Sequence, residues 1–224
     1  QEANLTMYRT IIFDLDGTLA DTLHSIAHFA NAALAHFGYP AIKDETYKLL
    51  VGNGADNLVR KMLELAGDTS DEAFFNVSRM YNKSYDDNAL YLTNPYPGIC
   101  ELLDSLKQDG CRLGVLSNKP HNTTVKIAES LFGKDFFDIC CGKQKGMPKK
   151  PDPAALFDIL RRLDTSPNEA VFVGDSGVDM QTGHNGGLFP IGVLWGFRGR
   201  KELEQNGAGL IVSHPSEIYA FLNR

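Results

Sequence analysis

The stretch Ile11-Ile12-Phe13-Asp14-Leu15-Asp16-Gly17-Thr18 decides the reading of this chain. Its opening is an apolar, β-branched run of the kind that forms a buried strand. Side chains two apart on a strand share a face, so Asp14 and Asp16 are expected to emerge side by side at the strand's end. Two like charges leaving an apolar element are costly unless a metal, cations or hydrogen bonds compensate them. Gly17-Thr18 then supplies a tight turn. A strand-ending turn explains Asp16-Gly17 but not the pair.

The 224 residues, 43% of them hydrophobic, suffice for one sizeable core, or a core with a small accessory domain. The net charge is −6 and no basic stripe occurs, which argues against nucleic acid or an acidic membrane surface as partner. No stretch approaches the roughly 18 apolar residues that span a bilayer. Gln1–Thr6 is polar, without the apolar region of a signal peptide, and Met7 is expected to be the natural start. Cys100, Cys111, Cys140 and Cys141 form no CxxC and are not spaced as paired metal ligands. They read as reduced, mostly buried thiols of a cytoplasmic protein.

Strand candidates are Thr10–Leu15, Arg112–Ser117, Phe136–Cys140, Ala170–Gly174, Pro190–Leu194 and Leu210–Val212. Helical patterns fall at about Gly98–Gln108, His121–Phe132, Pro153–Leu163, Val178–His184 and Pro215–Leu222. Such alternation predicts an α/β fold of right-handed βαβ units, a Rossmann-like, doubly wound parallel sheet. Between about Asp21 and Asp87 only helical periodicity is found, as in Ile26, Phe29, Ala30, Ala33, Leu34 and Phe37. Residues 21–90 are therefore expected to be an inserted helical lobe, and 1–20 with 91–224 the α/β core.

Three further sites follow, or lie near, the carboxyl ends of strands, where open α/β sheets bind ligands. Ser117, with Asn118 and Lys119 after it, ends a strand; alone it reads as an ordinary helix cap or turn hydroxyl. Lys150 precedes Pro151, and Pro153 follows, so the stiff backbone can hold the lysine in one direction; most loop lysines are merely solvated. The run Val171-Phe172-Val173-Gly174-Asp175 ends a second strand in a carboxylate, and Asp179 stands four residues on. Singly, Asp175 is a helix cap and Asp179 a solvated face. Together the carboxylates make a hard-cation site suited to Mg²⁺. A hydroxyl and a lysine beside them can hold a phosphate, and one carboxylate can act as nucleophile while another moves the proton.

With these residues in order, the chain resembles the haloacid dehalogenase superfamily hydrolases with a helical cap after the first strand. Asp14-Leu15-Asp16-Gly17-Thr18-Leu19 resembles the first motif, Ser117 the second, Lys150 the third, and Gly174-Asp175-Ser176 with Asp179 the fourth. The resemblance implies a phosphomonoester hydrolase working through an aspartyl-phosphate. Asp14 would be the nucleophile and Asp16 the general acid/base. Mg²⁺ would be held by Asp14, the Asp16 backbone carbonyl and Asp175, with Asp179 in support. Ser117, Asn118 and Lys150 would bind the phosphoryl group.

The cap selects the substrate in such a layout. Asp21-Thr22, Val51-Gly52-Asn53-Gly54, Ser117-Asn118-Lys119 and Gly192–Arg198 together resemble the phosphoglycolate phosphatase branch. Gly52, Asn53 and Gly54 open a cap helix whose backbone N–H groups can receive a second anion, although a plain inter-helix turn is the commoner use. Trp195 and Phe197 are read as packing residues, and Arg198 as structural or anion-binding. Asn57 stands where a dinucleotide fingerprint needs its last glycine. The expected partner is a small phosphorylated metabolite, and the chain a monomer or homodimer. Alternatives are a sugar-phosphate mutase, pyrophosphatase or nucleotidase of the same superfamily, a metal-free haloacid dehalogenase, and, outside enzymes, a phosphate-accepting receiver domain.

Overall fold

The structure, a computed structural model, describes residues 8–223, so Met7 and the segment before it lie outside the described residues. The strands are β1 (Thr10–Phe13), β2 (Ala20–Asp21), β3 (Asn94–Pro95), β4 (Arg112–Pro120), β5 (Ile139–Lys143), β6 (Ala170–Gly174), β7 (Phe189–Val193) and β8 (Leu210–Val212). The helices are α1 (Leu23–His36), α2 (Asp44–Leu50), α3 (Ala55–Leu65), α4 (Asp71–Asp87), α5 (Ile99–Gln108), α6 (His121–Phe132), α7 (Ala154–Arg162), α8 (Gly177–Gly186), α9 (Arg200–Gln205) and α10 (Pro215–Leu222).

Six strands pair in parallel in the order β5-β4-β1-β6-β7-β8. From central β1 the chain winds out to β4 and β5, then crosses back to β6, β7 and β8. The winding reverses beside β1, and the crevice at the strands' carboxyl ends there is the natural ligand position. All four residues of β1 are buried, as expected of a strand covered on both faces. Alternation divides them: Ile11 and Phe13 join one apolar cluster with α5 and α10, while Ile12 joins another with Leu156, Ile159 and Leu160 of α7. This is the expected doubly wound α/β fold.

Between β2 and β3 lie α1 to α4, each amphipathic. Leu58, Val59, Met62 and Leu63 are the buried face of α3, and Ala73, Val77, Tyr81 and Tyr85 that of α4. Their apolar residues are continuous with the β1 face that carries Phe13. The short antiparallel ribbon of β2 and β3, Ala20 opposite Pro95 and Asp21 opposite Asn94, ties both ends of this layer together. Two residues per strand are too few to show periodicity, so the ribbon was not expected.

Other differences from expectation have local causes. β1 stops at Phe13 rather than Leu15, because the Leu15 carbonyl turns to accept from the N–H groups of Thr18, Leu19 and Ala20. β4 continues past Ser117 to Pro120. β5 begins at Ile139 rather than Phe136, since Phe136 and Phe137 pack ring edge to face instead of entering the ladder. α9, mostly charged with only Leu203 buried, carries no apolar period to detect. The cysteines are free, but only Cys141 is buried and Cys100 is exposed, correcting the expectation of mostly buried thiols. Cys100 follows Ile99 on α5, whose core face is Ile99, Leu102, Leu103 and Leu106. Among the described residues no helix is long and apolar enough to cross a membrane.

Candidate active site

The end of β1 is pinned before the first aspartate: Asp14 N–H donates to the Val173 carbonyl of β6 at 2.9 Å. The loop then doubles back, with Gly17 at φ 83°, a conformation that favours glycine. The two carboxylates line one cavity but do not share a partner. Asp14 faces Lys150, whose Nζ lies 2.9 Å from Asp14 Oδ1 and 2.7 Å from Asp179 Oδ1. The Asp14 contact is an ion pair without the angle of a hydrogen bond, so this buried oxygen lacks a well-directed donor. Asp16 faces away from that group: Oδ1 accepts from Thr22 Oγ1 at 2.7 Å, and Oδ2 lies 3.1 Å from Lys119 Nζ.

Lys150 is 3% exposed, which excludes the solvated-loop reading. Asn118 fixes its segment, accepting from Lys150 N–H at 2.8 Å and donating to the Lys150 carbonyl at 3.1 Å. The Asn118 side chain is thus committed to backbone and also reaches the Gly52 carbonyl at 3.1 Å. Ser117 is buried in β4 and is not a helix cap; its Oγ accepts from Lys119 N–H at 3.3 Å.

At the end of β6 the cap of α8 is Ser176. Asp175 instead accepts from Phe197 N–H through Oδ2 at 2.6 Å. Asp179, fully buried, is no solvated face: Oδ2 accepts from Ser176 N–H at 3.0 Å and Ser176 Oγ at 2.6 Å. Asp14, Asp175 and Asp179 each offer an oxygen within 4.8 Å of the others'. Burial pushes the Asp14 carboxyl up to about 7, against the pull of Lys150 and with the push of Asp179 and Asp16. Burial, then Asp179 and Asp14, hold Asp175 well above the usual carboxylate range, opposed by the Phe197 amide and Arg198. Burial alone would lower Lys150, yet Asp14 and Asp179 raise it above an ordinary lysine, so it stays charged.

The segment after β7 closes one side. Trp195 Nε1 donates to the Thr18 carbonyl at 3.0 Å, and Arg198 Nη2 donates to the Val51 carbonyl at 2.9 Å. Both are structural here. A Cβ at Gly196 would strike the Gly17 carbonyl and the Asp175 carboxylate, so only glycine fits. The helical layer closes the top, where Gly52, Gly54, Ile26, Leu58, Tyr81 and Tyr85 line the cavity with Asp14, Asp16 and Ser117. Gly54 caps α3 at φ 87°. Asn53 is not among the lining residues; its carbonyl accepts from Lys149 Nζ at 2.9 Å.

Sequence reasoning gave no role to Lys119, Thr22 or Tyr85. Lys119 Nζ donates to Tyr85 OH of α4 at 3.0 Å and lies 4.5 Å over its ring. Extending β4 by two residues would have found Lys119, since it shares a strand face with Ser117. Tyr85 follows Tyr81 at helical spacing and reads as core from sequence.

Residues 11–193 match the family described as haloacid dehalogenase-like hydrolase. The phosphoglycolate phosphatase of Haemophilus influenzae is 33% identical over 223 residues, covering 97% of this chain and 99% of that protein. That of Mannheimia succiniciproducens is 30% identical over 219 residues, covering 96% and 95%. A solved structure of a predicted phosphoglycolate phosphatase from Haemophilus somnus superposes with TM-score 0.90 at 27% identity, covering 97% and 99%. A doubly wound sheet with a carboxylate–lysine site at its switch point, taken with phosphatase relatives over nearly its full length, places the chain among hydrolytic enzymes of the phosphatase class. The chain belongs to the haloacid dehalogenase-like hydrolases. As an enzyme of that family, it is not the receiver domain that the same residue types allow.

Proposed function

We propose that this enzyme hydrolyses phosphomonoesters in the presence of Mg²⁺ through an aspartyl-phosphate on Asp14, and that its substrate is 2-phosphoglycolate. The observation carrying the reading is Asp14 itself, a buried carboxylate at the switch point with one cation, Lys150, shared between it and Asp179. The names of the full-length relatives support the substrate.

The donor set fits a hard cation. Three buried carboxylates converge with a single lysine among them, leaving negative charge that a divalent ion would balance. Asp179 spends both oxygens on Lys150 and Ser176, so Asp14 and Asp175, with the Asp16 carbonyl, are the residues that would hold the ion. Bound there, Mg²⁺ supplies charge neutralisation for the phosphoryl oxygens.

The rest is the chain's own chemistry. An Asp14 oxygen attacks phosphorus and the bond to the leaving oxygen breaks. Asp16, oriented by Thr22 and Lys119, delivers a proton to that oxygen. Asp16, now a carboxylate, takes a proton from water as the water oxygen bonds to phosphorus and the Asp14–phosphorus bond breaks, releasing phosphate and the Asp14 carboxylate and leaving Asp16 protonated for the next cycle. Ser117, the Asn118 segment and Lys150 hold the phosphoryl oxygens. Residues 21–90 serve as the cap, excluding bulk water. The turn Gly52-Asn53-Gly54 shapes the wall facing the leaving group, with the positive end of α3 behind it.

A steady-state screen of phosphomonoesters with Mg²⁺ tests this. Turnover of 2-phosphoglycolate above generic esters, abolished by EDTA, is expected. Full turnover in chelator sinks the metal assignment, and no preference for 2-phosphoglycolate sinks the substrate.

A further inference from the structure

The part of the cavity next to Asp16 has a charge pattern of its own. Of its lining side chains among the described residues, Asp14, Asp16 and Asp86 are acidic and Lys119 is the one cation. Lys119 and its neighbour Tyr85 are buried, and Asp16 is partly buried. An ammonium has three N–H donors. Tyr85 OH accepts one at 3.0 Å; Asp16 Oδ2, 3.1 Å away, makes an ion pair without the angle of a hydrogen bond, and no other protein acceptor takes a donor among the described residues. The other cations nearby, Lys150, Lys149 and Arg198, are not among the residues lining this part of the cavity.

We infer that Lys119 receives a carboxylate on the substrate's leaving group and so selects phosphomonoesters of two-carbon acids. This deepens the phosphatase reading and rests on it. The reach decides the chain length. Asp16 must come within about 2.6–3.2 Å of the leaving oxygen it protonates. Where Asp16 gives its proton from Oδ2, 3.1 Å from Lys119 Nζ, the ammonium stands at most about 6 Å from that oxygen. A carboxylate one methylene from the ester oxygen, making a charge-assisted bond of about 2.8 Å, spans this gap. An uncharged group of the same length would leave the buried donor unused.

The test compares kcat/KM for 2-phosphoglycolate and 2-hydroxyethyl phosphate, equal in length and differing in charge, in wild type, Lys119→Gln and Lys119→Arg. Glutamine removes the charge and is one atom shorter but keeps amide donors toward Asp16 and Tyr85, and its melting curve checks that the fold is retained. Wild type should prefer the acid. Lys119→Gln should cut that preference about 10- to 100-fold, chiefly through KM, the range of one charged hydrogen bond. Lys119→Arg, which keeps the charge, should hold it within a few-fold. Equal losses on both esters in Lys119→Gln would show that Lys119 only positions Asp16 and overturn the inference. A wild type that hydrolyses both esters equally well overturns it alone. A wild type that hydrolyses no phosphomonoester overturns the phosphatase reading and this inference with it.

Discussion

Lys150 Nζ lies 2.9 Å from Asp14 Oδ1 with both side chains shielded from water, so neither charge is tolerable without the other. A buried pair of this kind contributes little beyond two apolar residues, but removing one partner strands the other charge. The lysine therefore belongs to the fold as well as to the proposed chemistry, which a loop position does not suggest.

Lys150→Ala is expected to lose about 10²- to 10³-fold in kcat, as when one preorganised charge donor is removed. It should also lose about 3–5 kcal/mol of stability at pH 8. The stability loss should shrink at pH 5, where the stranded carboxylates can protonate. Thermal melts of both proteins at the two pH values check the stability and steady-state assays the rate; a variant of wild-type stability and rate would remove Lys150 from the proposed chemistry.

Asp14→Asn should be inactive and should never become phosphorylated, since an amide lacks the nucleophilic oxygen anion. Asp16→Asn should slow turnover by about 10²- to 10⁴-fold, the range of a lost general acid/base. With p-nitrophenyl phosphate, whose leaving group needs no proton, the second variant should stall as the phosphorylated protein. Mass spectrometry of the quenched reaction reads the site, and phosphate on any residue but Asp14 overturns the assignment.

The metal-free protein should lose stability as pH rises. Asp14 goes from an ordinary value of 3.8 up to about 7 in the fold, so the folded state holds its proton more tightly. The favourable contribution is full below pH 3.8 and is lost as pH rises through about 7. Mg²⁺ needs the carboxylate form, so its stabilisation should grow over the same window, reaching about 2.7 kcal/mol at 100 times its Kd. Melting curves in EDTA and in Mg²⁺ from pH 5 to 8 measure the divergence; parallel curves would remove Asp14 from the metal site.

Gly196→Ala should destabilise the protein by about 1–3 kcal/mol, because its Cβ has no space between the Gly17 carbonyl and Asp175. The Asp175 carboxylate must shift, so Mg²⁺ affinity should fall too, read by calorimetry. Unchanged affinity would mean the segment after β7 gives way without disturbing Asp175.

Much was determined by sequence alone. The apolar runs of β1, β4, β6 and β7 are buried on both faces, which leaves a strong local signature, and the acids ending β1 and β6 conflict with such surroundings visibly enough to mark the site. The helical stretch between Asp21 and Asp87 was legible from its 3.6-residue period. Only the tertiary structure decided which charge meets which. Asp14 and Asp16 are two residues apart, yet one faces Lys150 and the other Lys119, because the chain leaves the ladder at Phe13 and turns on Leu15. Lys150 and Asp179 look like surface charges in sequence and are buried in the fold. Tyr85 looks like core, yet its hydroxyl holds the cation over the cavity. Period and hydropathy report how one element meets its own surroundings. Pairings across 29 to 136 residues depend on how the elements are stacked, and nothing local in the chain encodes that.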